Sequence, residues 1–267
     1  MLAAARQSEI MATVHRHGIV RISDLSSMLG VSDMTVRRDI DALAATGLLQ
    51  KVHGGAKVPG SLRTDEPGFE TKSMREEPEK GAIAREALSF VTPGSAIGLS
   101  AGTTTWTLAK SLRSIEGLTI VTNSIQIADV FHRAPTRKDG NRTTVILTGG
   151  ERTPSDALVG PIAISALSQL HLDVLFLGVH GVESKAGFTT PNLLEAETNR
   201  AFVATARNVI VLADHTKWGI VGMSTIAKLS EVDALVTDDS MPQDAREALS
   251  GRIRDVRFAP VRRGGSE

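Results

Sequence analysis

Apolar residues recur at helical intervals through the first sixty residues and in short unbroken runs through most of the remaining chain, so the sequence reads as two folds in series. In the first stretch Leu2, Ile10, Met11 and Val14 share one helical face that stops at Gly18. Ile19-Val-Arg-Ile22 is a short extended piece. Ser23 is placed to cap a second helix, whose Leu25, Met28 and Leu29 stand at i, i+3 and i+4, and Gly30 supplies the turn after it. Ser32 caps a third helix that runs to about Thr46 and stops at Gly47, with Val36, Ile40 and Leu43 as its inner stripe. Helix, three-residue turn, helix is the helix-turn-helix spacing, here at about 20–39. Leu48 to Ala56 then predicts a β-hairpin with Leu48 and Val52 apolar and a Gly54-Gly55 tip.

From Lys80 the pattern is helical and then alternates. Extended candidates are 95–99, 118–122, 144–148, 173–177, 208–213 and 233–237, with helical candidates at 103–113, 124–133, 161–170 and 191–206. Runs such as Val174-Leu-Phe-Leu177 and Val209-Ile-Val-Leu-Ala213 belong to strands covered on both faces, so a mainly parallel α/β sheet is expected. The predicted domains are a DNA-reading head at 1–57, a linker arm at 58–80 punctuated by Pro59, Gly60, Pro67, Gly68 and Pro78, an α/β domain at 81–240 and an extension at 241–267.

Composition narrows the function. The 267 residues are 41% apolar with 30 basic and 30 acidic side chains, which excludes a strongly basic coat but allows one basic face. The first 58 residues hold seven Lys/Arg against five Asp/Glu, an excess of only two, so the position of the charges has to carry the reading. There is no cysteine, which removes disulfides, thiol catalysis and Cys-ligated zinc and suits a reducing cytoplasm. No apolar run reaches the roughly 18 residues of a membrane span, and neither a membrane partner nor a signal segment is expected.

With Val36, Ile40 and Leu43 turned inward, the third helix presents Ser32, Met34, Thr35, Arg37 and Arg38 at its outer N-terminal end, the end that enters a major groove. There a guanidinium pairs with guanine O6 and N7, and Thr or Met meets a thymine methyl. Lys51 and His53 on the hairpin would lie near the sugar-phosphate backbone. Farther on, the expected strand ends carry Ser100, Ala101, Gly102, Thr103, Thr104 and Thr105, then Asn123, Gly150, His180, Glu195, Asp214 and Lys217. Ligands of open parallel sheets bind at such ends, and a helix start with free N–H groups beside a lysine suits a phosphate.

Other chemistries find less support. Walker A and the dinucleotide G-x-G-x-x-G are absent, and His180 and His215 lack paired metal spacing, so no cofactor and no metal are expected. Gly98-Leu-Ser-Ala-Gly102 matches G-x-S-x-G, with Asp173 and His215 following in hydrolase order, but nothing specifies an oxyanion loop. Glu195, Glu197 and Lys217 are the residues that could be cast as base and donor of an aldose–ketose isomerase. A DNA-reading head fits a sensor better than a catalyst.

These residues resemble the DeoR family. Arg6, Ile10 and Val14, then Ser32, Thr35, Val36, Arg37, Arg38, Asp39 and Ile40, then Gly47 and Lys51-Val-His-Gly-Gly-Ala56, stand at the spacing of its winged helix-turn-helix, with Asp39 read as orienting a neighbouring arginine. Ser100 to Thr105, Thr122 to Ser124, Gly149-Gly150, Asp173 to Gly181, Glu195-Ala196 and Asp214 to Lys217 resemble its effector domain, similar in fold to ribose-5-phosphate isomerase. The likeness spans roughly residues 3 to 237, departs at His180, and lacks the isomerase's acidic cluster and Lys-Gly-Gly-rich loop. It implies a non-enzymatic repressor of a carbohydrate operon that binds double-stranded operator DNA as a homodimer or homotetramer and is released by a phosphorylated sugar or related metabolite. An activator, or a regulator that needs its ligand to bind DNA, stays open.

Overall fold

The computed structural model describes residues 3–17, 19–46, 48–52, 54–57, 69–132 and 143–262. The chain divides into two compact units, Met1–Arg63 and Thr64–Glu267.

The first unit is α1 (Ala3–His17), β1 (Ile19–Arg21), α2 (Ile22–Leu29), α3 (Asp33–Ala45), β2 (Gln50–Val52) and β3 (Gly55–Lys57). The strands form an antiparallel sheet in the order β1-β3-β2. Ile10 and Val14 of α1, Leu25 of α2, and Val36, Ile40 and Leu43 of α3 close one small core with Val20, Ile22, Leu49 and Ala56. Gly30 ends α2 at φ 63, the left-handed region glycine enters freely, and its N–H caps Ser26 O. Ser32 caps α3 by accepting from Thr35 N.

Three expectations shift here. Ser23 is not the cap of α2, because the helix begins one residue earlier at Ile22. Ile22 N donates to the wing carbonyl of Gly54 at 2.8 Å, so this orphan donor needs no side-chain cap. Met28 is exposed, leaving Leu25 to anchor α2. The buried apolar residue leading into the wing is Leu49, not Leu48, because both of their amides fold back onto Leu43 O and only Leu49 turns inward. Leu2, Gly18 and Gly47 lie outside the described residues.

The second unit opens with α4 (Phe69–Ser73) and α5 (Glu77–Ala87), followed by β4 (Ala96–Leu99), α6 (Thr103–Leu112), β5 (Thr119–Thr122), α7 (Ile125–His132) and β6 (Thr144–Leu147). A short hairpin, β7 (Glu151–Arg152) and β8 (Leu158–Val159), precedes α8 (Pro161–Leu167), β9 (Val174–Gly178), β10 (Gly181–Glu183), β11 (Gly187–Thr190) and α9 (Leu193–Thr205). The chain finishes with β12 (Val209–Leu212), β13 (Ser224–Ala227), β14 (Ala234–Asp238), α10 (Gln243–Leu249) and β15 (Asp255–Ala259). Seven strands form a wholly parallel sheet in the order β15-β14-β12-β9-β4-β5-β6.

The apolar runs reflect this topology. Alternate residues of one strand face opposite sides of a sheet. Val174 and Phe176 accordingly join the core beneath α5 and α6, while Leu175 and Leu177 join the core against α9. The sheet also extends past the boundary expected at 240. Residues 241–267, expected as an extension, include α10 and β15, which complete the sheet with Val256 opposite Leu235 and Phe258 opposite Thr237. At the other boundary, α4 and the start of α5 fall inside the expected linker and belong to the second unit. An antiparallel sheet of β10, β11 and β13 lies outside the expected strands altogether. Among the described residues no helix is long and apolar enough to cross a membrane.

Candidate functional site

On α3, Ser32, Met34, Arg37 and Arg38 are exposed and Thr35 is half-buried, with the Ser32 and Thr35 hydroxyls 3.0 Å apart. Asp39 lies on the inner side. Its carboxylate accepts from Arg6 Nε at 2.5 Å and Arg6 Nη2 at 3.2 Å, so the arginine it orients belongs to α1, not to the neighbouring Arg37–Arg38 pair. This charged pair pins α3 to α1 and sets the angle at which Arg37 and Arg38 are offered. Lys51 is exposed but ion-paired with Asp41 at 2.5 Å, a surface contact that a competing phosphate displaces at little cost. His53 lies outside the described residues.

In the second unit the predicted residues gather at the carboxyl ends of the parallel strands, and they divide by what their polar atoms do. Four hold the loops in shape. Ser100 is fully buried, its hydroxyl accepting from Gly178 N at 2.9 Å to tie β4 to β9. Asn123 uses both ends of its amide, accepting from Ala101 N at 2.8 Å and donating to Leu158 O at 3.0 Å. Thr105 turns its hydroxyl back to the carbonyls of Ser100 and Gly102. Gly150, at φ 118, has no room for a β-carbon, which would stand 2.4 Å from Val159 O.

The rest present chemistry. Thr103 and Thr104 begin α6, where first-turn N–H groups lack intrahelical acceptors, and their hydroxyls make no hydrogen bond among the described residues. Gly102 lets the loop pack closely, since a β-carbon there would stand 3.2 Å from Thr105 Oγ1. After β12, Asp214 caps a turn through Thr216 N at 3.0 Å and the Thr216 hydroxyl, and the turn holds Lys217 half-buried with no ion pair among the described residues. The buried Glu195, on the first turn of α9, accepts from Thr153 Oγ1 at 2.9 Å, Ser155 Oγ and Thr190 Oγ1, binding the 153–155 loop to α9. His180 is buried beside β11, its backbone N–H bonded to Thr189 O. Glu197 is exposed.

One residue of this rim carries no signal in the sequence. Lys80 of α5 is 4% exposed, and its Nζ donates to Lys72 O and Arg75 O at 2.5 Å each. Burial pushes this amine down to about 8, with Lys217, Lys72 and Arg75 acting in the same sense and only Asp214 opposing. Lysines 80 and 217 thus share one positive field. Lys72 also acts on Asp156, which Arg152 and Gln126 hold below its usual range against the opposing effect of burial.

His215 is tied to Asp238 by two contacts. Its Nδ1 stands 2.9 Å from Asp238 Oδ1 and its backbone N donates to Oδ2 at 2.7 Å. The hydrogen bond to Asp238 holds the imidazole above its ordinary range despite burial, and burial of Asp238 is outweighed by bonds from His215, which hold that carboxyl low. A raised histidine stabilises fully below its unfolded value of about 6.5 and loses that contribution as pH rises through its folded value. A lowered aspartate stabilises above about 4 and loses its contribution as pH falls. The pair is therefore strongest at roughly pH 5–6, where His215→Gln should cost about 1–2 kcal/mol. Thermal melts should show the gap from the parent shrinking as pH rises above about 6.5. A gap constant across that range would mean the ring is held neutral.

This geometry disposes of the hydrolase order. Asp173 accepts from Ala96 N at the amino ends of the strands, whereas Ser100 and His215 follow the carboxyl ends of β4 and β12, so the three do not form one site. A cleft of about 690 Å³ opens at that amino end, lined by Pro93, Ser95, Asp173, Asn208, Asp233 and Arg254, and none of the predicted rim residues borders it. No group of three or more His, Asp or Glu among the described residues is arranged to hold a metal ion.

Comparison with known proteins agrees with the two-unit reading. Residues 6–61 match the DeoR-like helix-turn-helix domain and residues 75–239 match the DeoR C terminal sensor domain. The chain belongs to the DeoR family of transcriptional regulators. A DeoR-family chain of this kind is similar to the HTH-type transcriptional regulator YgbI of Escherichia coli, 36% identical over 93% of this chain and 95% of that one. It is 32% identical to the glycerol-3-phosphate regulon repressor of Escherichia coli over 94% and 96% of the two chains. The same figure holds for the HTH-type transcriptional repressor CsqR of Escherichia coli, over 94% and 92%. Among solved structures, a D-ribose-5-phosphate isomerase in complex with phospho-erythronic acid aligns with 54% of this chain and 55% of its own at 22% identity and a TM-score of 0.39, a partial likeness of fold. Such DeoR-family relatives are regulators, not enzymes.

Proposed function

We propose that this chain represses a carbohydrate-metabolism operon and leaves its operator when a phosphorylated sugar or related anionic metabolite binds at the carboxyl ends of β4, β9 and β12. One observation carries the reading: the open start of α6 shares a rim with the half-buried cation Lys217 and the buried Lys80, with Asp214 as the counter-charge. Such a site favours a phosphate. Its remaining members in this reading are Ser100, Ala101, Gly102, Thr105, Asn123 and Gly150 as the frame, with His180 and Glu195 facing the ligand's hydroxyl-bearing part. The kinship with a glycerol-3-phosphate regulon repressor supports the ligand class.

Ser32, Met34, Thr35, Arg37 and Arg38 read the major groove, with Lys51 and His53 near the backbone. Paired heads of a homodimer or homotetramer meet paired or repeated half-sites. Arg37→Ala should lose about 1–3 kcal/mol of operator affinity together with discrimination at one base position. Equal loss on all sequences in a gel-shift series would make Arg37 a phosphate contact. For the reading as a whole, the full chain is tested on promoter fragments against random duplex, with and without a panel of sugar phosphates. Selective binding released by one of them supports it. Equal affinity for promoter and random duplex overturns it, and binding that requires the sugar phosphate reverses the sign of regulation.

A further inference from the structure

The segment 69–76 is fastened to the second unit at two points, and each point is built on an element of the rim. At one end Phe69 of α4 packs edge-on against Trp106 of α6, with ring centroids 5.4 Å apart at 87°. Lys110 Nζ lies over the same indole at 3.3 Å. Trp106 comes directly after Thr103–Thr105, so α4 rests on the helix whose start forms the anion loop. At the other end Lys80 grips the carbonyls of Lys72 and Arg75. Between the second fastening and α5 the chain turns through Glu76 at φ 50, a left-handed conformation that a residue with a β-carbon holds at a cost.

We infer that Lys80 is the positioning residue through which an anion at the rim fixes the 69–76 segment. An ammonium has three N–H donors. Two are on Lys72 O and Arg75 O, and no further acceptor for the third exists among the described residues. An anionic oxygen beside Lys217 takes that third donor and offsets the repulsion of Lys217, Lys72 and Arg75, against which Asp214 otherwise stands alone. The ammonium is then held at full charge, and both carbonyls are held with it. With the rim empty the same bonds are opposed by the neighbouring cations and the segment is freer to leave. The sequence immediately upstream leads to the DNA-reading unit, so the state of this fastening is what occupancy passes on. This inference rests on the rim being the anion site.

Hydrogen–deuterium exchange of the full chain, with and without saturating inorganic phosphate, separates the two claims. Phosphate should slow exchange at Thr103–Thr105 and, by about fivefold or more, at 72–76. Lys80→Met should exchange about tenfold faster at 72–76 and lose the phosphate effect there, while Thr103–Thr105 is protected only at a higher phosphate concentration than in the parent, as the loss of one rim cation requires. Lys80→Arg, which keeps charge and donors, should restore part of the coupling, and it carries the test if Lys80→Met fails to fold. Protection at Thr103–Thr105 with none at 72–76 in the parent chain, or a Lys80→Met chain indistinguishable from it, overturns the role of Lys80 and leaves the anion site standing. Protection at neither place overturns the anion site and this inference together.

Discussion

Asp39→Ala is expected to abolish operator binding while the second unit melts as before. The Asp39 carboxylate is 4% exposed and receives two N–H groups of Arg6, with Gln7 Nε2 at 3.3 Å as a third donor. Removing the carboxylate takes away the partner of Arg6 at a partly buried contact and with it the tie between α1 and α3. A unit of this size has a core that supplies only about 3–5 kcal/mol, so it has little reserve against the loss of an interhelical tie. The outcome can be watched one unit at a time. Both tryptophans, Trp106 and Trp218, lie in the second unit and the chain has no tyrosine, so indole fluorescence reports that unit alone. The expected result is an unchanged fluorescence melt, rapid proteolysis of the N-terminal unit and no gel shift. Full operator affinity in the variant would show that the α1–α3 tie does not set the reading helix.

Lys217→Ala should give the opposite phenotype, a chain that grips its operator and will not let go. Its ammonium is the half-buried cation at the end of β12 that no carboxylate claims among the described residues, so its loss breaks no ion pair there. Operator affinity without ligand should be unchanged. A ligand shifts a two-state equilibrium only by its differential affinity for the two states. Couplings of about 1–3 kcal/mol correspond to roughly 5- to 150-fold in operator affinity, and that factor should fall to near one. Titration of the sugar phosphate that releases the parent chain into a preformed variant–operator complex measures it. Normal release would place the phosphate elsewhere on the rim.

The main sheet strands and the reading helix were legible for a shared reason: burial on two faces or on one helical stripe leaves a periodic mark. Val174-Leu-Phe-Leu177 could be little else than a central strand, and Ser32 followed by Val36, Ile40 and Leu43 marks both the cap and the inner face of α3. The three-stranded sheet of β10, β11 and β13 left no such mark, because Gly187-Phe-Thr-Thr190 buries two threonines alongside one phenylalanine. The last strand, Asp255-Val-Arg-Phe-Ala259, is an edge strand only partly covered, and with two charges among five residues it left no apolar run, so it fell within the expected 241–267 extension. For the proposed site, glycines and threonines marked the loops that leave the carboxyl ends of the strands. They did not tell Ser100 and Asn123, which frame the rim, from Lys217, which faces it. Lys80 was invisible because a lysine on an amphipathic helix reads as solvated. Its burial depends on the fold-back of Lys72 and Arg75, a tertiary fact that no local pattern encodes.

Because every strand of the main sheet runs the same way, the loops that compose the rim come from stretches of sequence separated by whole strand–helix units. Each loop leaves its own strand and is then tied to its neighbours, Ser100 to Gly178 and Asn123 to both Ala101 and Leu158, so these framing residues have to stay when a loop changes. In the function proposed above, a change of metabolite preference therefore falls on loop side chains outside that frame, with the two cations at Lys80 and Lys217 kept. On that proposal one chassis is retuned from one small anion to another while the first unit, compact in its own right, is inherited unchanged.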